Sequence, residues 1–160
     1  MNLKQFSETI YMRLLLLLLF AGSLLLHLLI VTRTYRPGFE LVMFLTGMMV
    51  LAWLYASQTI KTLTDYYPGQ NPWRLLFRES PDFLKYGLGF LTLYALVNLF
   101  ISLSADTGSG YVNLTILFRK LRGLSGFWIL FFALASLSQI MVRRLVQAAE
   151  DPAGEADGHD

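Results

Sequence analysis

Four long apolar runs set the pattern of this chain, at positions 14–31, 41–60, 86–103 and 124–142. Crossing the hydrocarbon core of a bilayer as a helix takes about 20 predominantly apolar residues. Each run is close to that length, and the polar residues gather between the runs. The pattern predicts an all-α, polytopic integral membrane protein with four transmembrane helices in two antiparallel hairpins. The first run follows a basic lead and contains Ala21, Gly22 and Ser23, features shared with a secretory signal peptide. Its apolar sequence continues to Val31, however, which favours an uncleaved first span.

The connections differ in character. Residues 33–38 read as a tight turn holding Arg36-Pro37-Gly38, and Glu40 lies where a helix N-terminus favours an anion. Residues 61–85 form the long polar connection, with turn signals at Pro68-Gly69 and Asn71-Pro72. Within it, residues 73–78 (WRLLFR) set apolar side chains between two arginines and predict a short interfacial helix. Ser80-Pro81-Asp82 reads as a helix start with serine as N-cap. Residues 104–113 are small and polar and predict a solvent loop. Residues 114–122 (LTILFRKLR) are too short to span and predict a second interfacial helix. The transmembrane domain is placed at 1–146, and the acidic tail at 147–160 is expected to be disordered.

Composition agrees with this reading. Of 160 residues, 55% are hydrophobic and 15% charged, against about 25% charged in an average soluble domain. The net charge is +2, and there is no cysteine. Disulfides, thiolate metal sites and cysteine nucleophiles are thereby excluded within this chain. The basic residues read as membrane-flanking charges, so nucleic acid is not an expected partner. Lys4, Arg13, Lys61, Arg74, Arg78, Lys85, Arg143 and Arg144 fall on the side of the termini. Arg33, Arg36, Arg119, Lys120 and Arg122 fall on the other. The positive-inside rule then places both termini in the cytoplasm, in a bacterial cytoplasmic (inner) membrane.

Polar residues inside the spans carry the candidate chemistry, because they are expensive unless partnered. Ser23 and His27 share one face of the first helix; Tyr94, Asn98 and Ser102 form a stripe on the third. Helix directions bring His27, Glu40, Asn98 and Ser102 to one side of the bilayer as a candidate polar pocket, with Asp106 near the same surface. His27 and Glu40 could relay protons or hold a polar headgroup; interhelical hydrogen bonding is the plainer alternative. Gln58 and Gln139 fall near the opposite surface. Ala52 and Ala56, and Ala133 and Ser136, offer close helix approach. Residues 122–128 (RGLSGFW) suggest glycines easing a tight helix start and Trp128 anchoring at the interface.

No phosphate-binding loop, metalloprotease motif or nucleophile elbow is present. No cofactor or metal is expected. The reading is a non-enzymatic accessory or structural subunit of a larger membrane complex. Its expected partners are membrane lipids and other membrane subunits or further copies of itself. Tyr66, Tyr67 and Trp73 are the candidate docking residues. The alternative is a small oligomeric transporter or channel with a path lined by His27, Asn98 and Gln139. A membrane enzyme acting on lipid or quinone through Glu40, Asp106 and His27 ranks third.

Overall fold

In the computed structural model, residues 3–104 and 114–150 are described. Asp106 and the tail beyond Glu150, both singled out from the sequence, lie outside them. Helix accounts for 88% of the described residues, with no strand among them. The elements are α1 (Leu3–Val31), α2 (Phe39–Lys61), α3 (Leu63–Tyr66), α4 (Pro72–Glu79), α5 (Asp82–Leu103) and α6 (Leu114–Glu150). Four of them, α1, α2, α5 and α6, are long and apolar enough to cross a membrane.

The arrangement has a hub. α6 packs against α1, α2 and α5, whereas α1 and α2 barely touch each other. In its most apolar window 61% of residues are buried, against 28% in α1, 17% in the α2 segment and 11% in α5. Sequence explains the difference. The buried positions of α1 (Leu16, Ser23, Leu26, His27, Ile30) and of α2 (Leu45, Ala52, Ala56, Ile60) each keep to one stripe on one face. In α6 they run round the helix: Ser125, Trp128, Ile129, Phe132, Ala135, Ser138, Gln139, Met141, Val142. A helix apolar on all sides is a buried helix. Contacts also give directions. His27 meets Ser125 near the start of α6, and Asn98, late in α5, meets Arg122. Both helices thus run antiparallel to α6, whereas α2, with Thr46 on Trp128 and Tyr55 on Gln139, runs parallel to it.

Several local expectations change. Residues 114–122 are not a separate helix but the first turns of α6. Its 37 residues reach about 55 Å at 1.5 Å per residue, well beyond the roughly 30 Å hydrocarbon core. Gly123 and Gly126 do not start a helix; they sit inside it, where they let α5 approach. A Cβ on Gly123 would lie 2.6 Å from the Ser102 Cβ, and one on Gly126 3.5 Å from the Ala95 Cα. Of the small residues expected to aid packing, Ala52 and Ala56 are buried as anticipated. On α6, Ala135 is buried while Ala133 and Ser136 are only partly so. Trp128 is no interfacial anchor. It is fully buried, and its indole N–H donates to Thr46 Oγ1 at 3.3 Å.

Capping chemistry sets the connections. α1 ends with Thr34 N–H donating to the Leu29 carbonyl and Arg33 N–H to that of Ile30, a Schellman pattern. Arg33 holds the left-handed position, at φ 58°, which costs a non-glycine residue about 1–2 kcal/mol. At α4, Asn71 Oδ1 accepts from Trp73 N–H (3.0 Å) and Arg74 N–H (3.2 Å), and Pro72 fills the first turn. Ser80 does not cap α5. Its hydroxyl turns back to donate to the Leu76 carbonyl at 2.7 Å, and α5 starts at Asp82 behind Pro81.

α4 closes one end of the bundle. Leu75 and Leu76 are buried with Ile60, Leu63, Met141, Val142 and Leu145. Tyr67 joins them and donates its hydroxyl to the Leu145 carbonyl at 3.0 Å.

Gly123→Ala should destabilise the bundle by about 1–3 kcal/mol through overpacking. Gly87→Ala, with nothing within 4 Å of its Cβ position, should be neutral or stabilising by up to about 1 kcal/mol. Thermal unfolding of the two variants in one detergent checks the contrast; equal midpoints would contradict the close α5–α6 approach.

Candidate polar site in the helix bundle

The stripe of α1 that faces α6 delivers Ser23 and His27 to the interior, and both are buried. His27 Nδ1 lies 2.7 Å from Ser125 Oγ, and Nε2 lies 2.6 Å from the Tyr94 hydroxyl. The Tyr94 ring meets the imidazole edge-on. Ser125 is within donating distance of the Arg122 carbonyl, at 3.2 Å. Arg122 Nε donates to Asn98 Oδ1, and Asn98 Nδ2 donates to the Tyr94 carbonyl at 2.8 Å. The circuit returns to its starting residue. Five residues from three helices are joined in one ring.

Hydrogen-bond directions follow from this arrangement. Ser125 spends its proton on the Arg122 carbonyl, so its oxygen accepts from Nδ1–H. Nε2 then accepts from the Tyr94 hydroxyl. One neutral tautomer of His27 therefore satisfies every partner. Buried polar networks rigidify a fold when every member is satisfied. Here the bonds tie α1, α5 and α6 to one another, with His27–Tyr94 joining α1 directly to α5.

The structure brings together some of the predicted site residues. His27 and Asn98 belong to one network, and Ser102 lies beside it against Gly123. Glu40 stands exposed in the first turn of α2, while both His27 ring nitrogens are occupied by Ser125 and Tyr94. Gln139 belongs to a second polar contact, donating Nε2 to the Tyr55 hydroxyl at 2.8 Å. Its Oε1 is buried without a partner. Ser125 and Gln139 are fourteen positions apart on α6, about 21 Å along its axis, and buried Trp128, Phe132 and Ala135 lie between them. Of the docking candidates, Tyr66 is 41% exposed. Tyr67 is tied to Leu145, and Trp73 stacks on Trp53 with ring centroids 5.8 Å apart.

Sequence reasoning missed Ser125 and Arg122 as members. The sequence places Arg122 at the end of a separate interfacial helix and Ser125 in the tight entry of the fourth span. The signal was available: Arg122 and Ser125 are three apart and share a helix face. Among the described residues, no group of three or more His, Cys, Asp or Glu is arranged to hold a metal. No family model matches the chain, and no curated protein or solved structure matches it.

Membrane hydrogen bonds contribute about 0.6 kcal/mol on average. His27→Ala should therefore lower stability by about 1–2 kcal/mol, since it strands Ser125 and Tyr94 as well. Tyr94→Phe should cost less, and the double variant should cost less than the sum of the two. Unfolding of all three variants in detergent checks this; strict additivity would show that the His27–Tyr94 bond contributes nothing.

Proposed function

We propose that this protein is a non-enzymatic structural or accessory subunit of a larger assembly in a bacterial cytoplasmic membrane, with its termini in the cytoplasm. The observation that carries this reading is the outer face of α5. Only its inner stripe, Ala95 and Asn98, is buried. Outward it presents Phe83, Tyr86, Phe90, Leu93, Val97 and Phe100. Gly89 borders this stripe and Gly87 lies on the stripe of Asn98, eleven positions before it, yet each has open space at the Cβ position. Glycine inside a helix costs about 1 kcal/mol relative to alanine, and a lipid-facing surface gains nothing from it. A partner helix does gain, because small residues let two backbones approach. The occupant of this face is a transmembrane helix of another subunit.

Transport through one copy is disfavoured by the same geometry. His27, Ser125 and Asn98 spend their polar atoms on one another, and an apolar stretch separates them from Gln139. Chemistry at His27 is disfavoured because both ring nitrogens are committed. α4 fits an interfacial helix that seals the cytoplasmic end: Leu75 and Leu76 face inward while Arg74 and Arg78 are exposed. Tyr66 is the docking candidate still facing outward.

The test is purification in mild detergent, followed by identification of stoichiometric subunits. Gly87→Leu/Gly89→Leu should leave monomer unfolding unchanged or raise its midpoint, yet reduce the retained subunit by about tenfold, the equivalent of 1.4 kcal/mol. Equal retention by the double variant would remove α5 as the docking face. A homo-oligomer alone, with solute flux in vesicles, would replace this reading with transport.

A further inference from the structure

We propose that a crevice at the start of α6 binds a phosphate group, carried by an anionic membrane lipid. This inference is independent of the assembly reading. The crevice has a volume of about 310 Å³ and lies where α1 and α5 end beside the first turns of α6. Thr115, Arg119 and Arg122 line it from α6, and Arg33 lines it from the end of α1. Positions 115, 119 and 122 are spaced by four and three, so they form one helical stripe.

Two separate observations converge on an anion. First, three guanidinium groups share one crevice, and none is ion-paired to an acid among the described residues. Arg122 commits its Nε to Asn98. A guanidinium has five N–H donors, so its terminal nitrogens keep capacity for a ligand while the ring of hydrogen bonds fixes its position. Second, Arg33 occupies the left-handed helix-ending position, φ 58°, where glycine is the usual residue. The chain tolerates an arginine there, and that arginine borders the crevice. Planar guanidinium forks match phosphate oxygens in pairs.

The apolar side of the crevice favours a lipid over a free ion. Ile30, Val31, Ile101 and Phe118 also line it. These residues belong to the membrane-spanning helices, at the level where their apolar runs stop. A headgroup phosphate sits at that level, with acyl chains running down the apolar walls. Basic pockets between transmembrane helices on the cytoplasmic side bind anionic headgroups, and this crevice sets the same guanidinium chemistry at the opposite surface. The inference also gives a role to the basic cluster at 119–122, which runs against the charge asymmetry used to orient the chain. Those arginines need not act as a topology signal if they hold a lipid.

The test uses the full chain in a neutral detergent and native mass spectrometry. Phosphatidylglycerol, phosphatidylcholine and inorganic phosphate are the probes. Phosphatidylglycerol should be retained at least about tenfold more tightly than phosphatidylcholine. The double variant Arg33→Gly/Arg119→Gln should lose at least about tenfold of that affinity. Its fold is protected, because glycine relieves the left-handed position and Arg119 is exposed. Arg36→Gln, on the same membrane side but outside the crevice, should bind as the parent does. Equal retention of the two lipids, an unaffected double variant, or an equal loss in Arg36→Gln would each overturn the site. Displacement of the lipid by inorganic phosphate at comparable concentration would overturn the lipid as the phosphate's source.

Discussion

α6 has to bury its whole circumference, and the rest of the structure follows from that constraint. Ser125, Gly126 and Trp128 cannot face one neighbour, because they lie on different sides of the helix and meet His27 of α1, Ala95 of α5 and Thr46 of α2. Three long helices are needed to cover them. Each covering helix needs only one inward stripe, and each has one. That is why α1 and α2, adjacent in sequence, are joined through α6 rather than directly. The outward faces of α1, α2 and α5 are left to lipid or to partners.

The two ends of the bundle are held by different forces. Within the bilayer, apolar contact gains little over lipid, so helix association rests on close packing and hydrogen bonds. The end near residues 94–125 follows that rule: Gly123 and Gly126 admit α5, and the His27–Ser125–Arg122–Asn98–Tyr94 ring ties α1 and α5 to α6. At the other end α6 extends past the length needed to span. There Leu75 and Leu76 of α4 cover Met141, Val142 and Leu145, and removing that surface from water is favourable in itself. Trp53 and Trp73 stack across the same region.

Fold class was legible in the chain because a membrane leaves few solutions: about 20 apolar residues, all backbone groups satisfied internally. The four spans therefore stood out by hydropathy alone. Much of the site was legible too. His27 and Asn98 were visible as polar residues in apolar runs, and Tyr94 shared a stripe with Asn98. What the sequence did not display was the partner on α6. Arg119, Lys120 and Arg122 look like a boundary, and Gly123 looks like a break, so the helix was expected to start after them. Glycine does weaken a helix, but tertiary packing overrides a propensity of about 1 kcal/mol, and here the absence of a Cβ is what admits Ser102 and Ala95. Trp128 was misplaced for a related reason. Tryptophan is enriched at interfaces, yet with Thr46 positioned to accept its N–H it can be buried completely.

The polar ring also limits what His27 can do. An isolated intramembrane imidazole invites a functional reading, because its proton is exchangeable near neutral pH. In this bundle the ring nitrogens, the serine, the tyrosine and the asparagine form a circuit that one neutral tautomer satisfies. A second proton on the imidazole would need Nε2 to donate, so the Tyr94 hydroxyl would have to turn its own proton elsewhere. It would also add a cation beside Arg122. Each change removes a satisfied partner in a place where water does not replace it. His27 is thus better placed to fix the register of α1 on α6 than to move protons. Arg122, the member with donors to spare, is where the network opens toward the membrane surface.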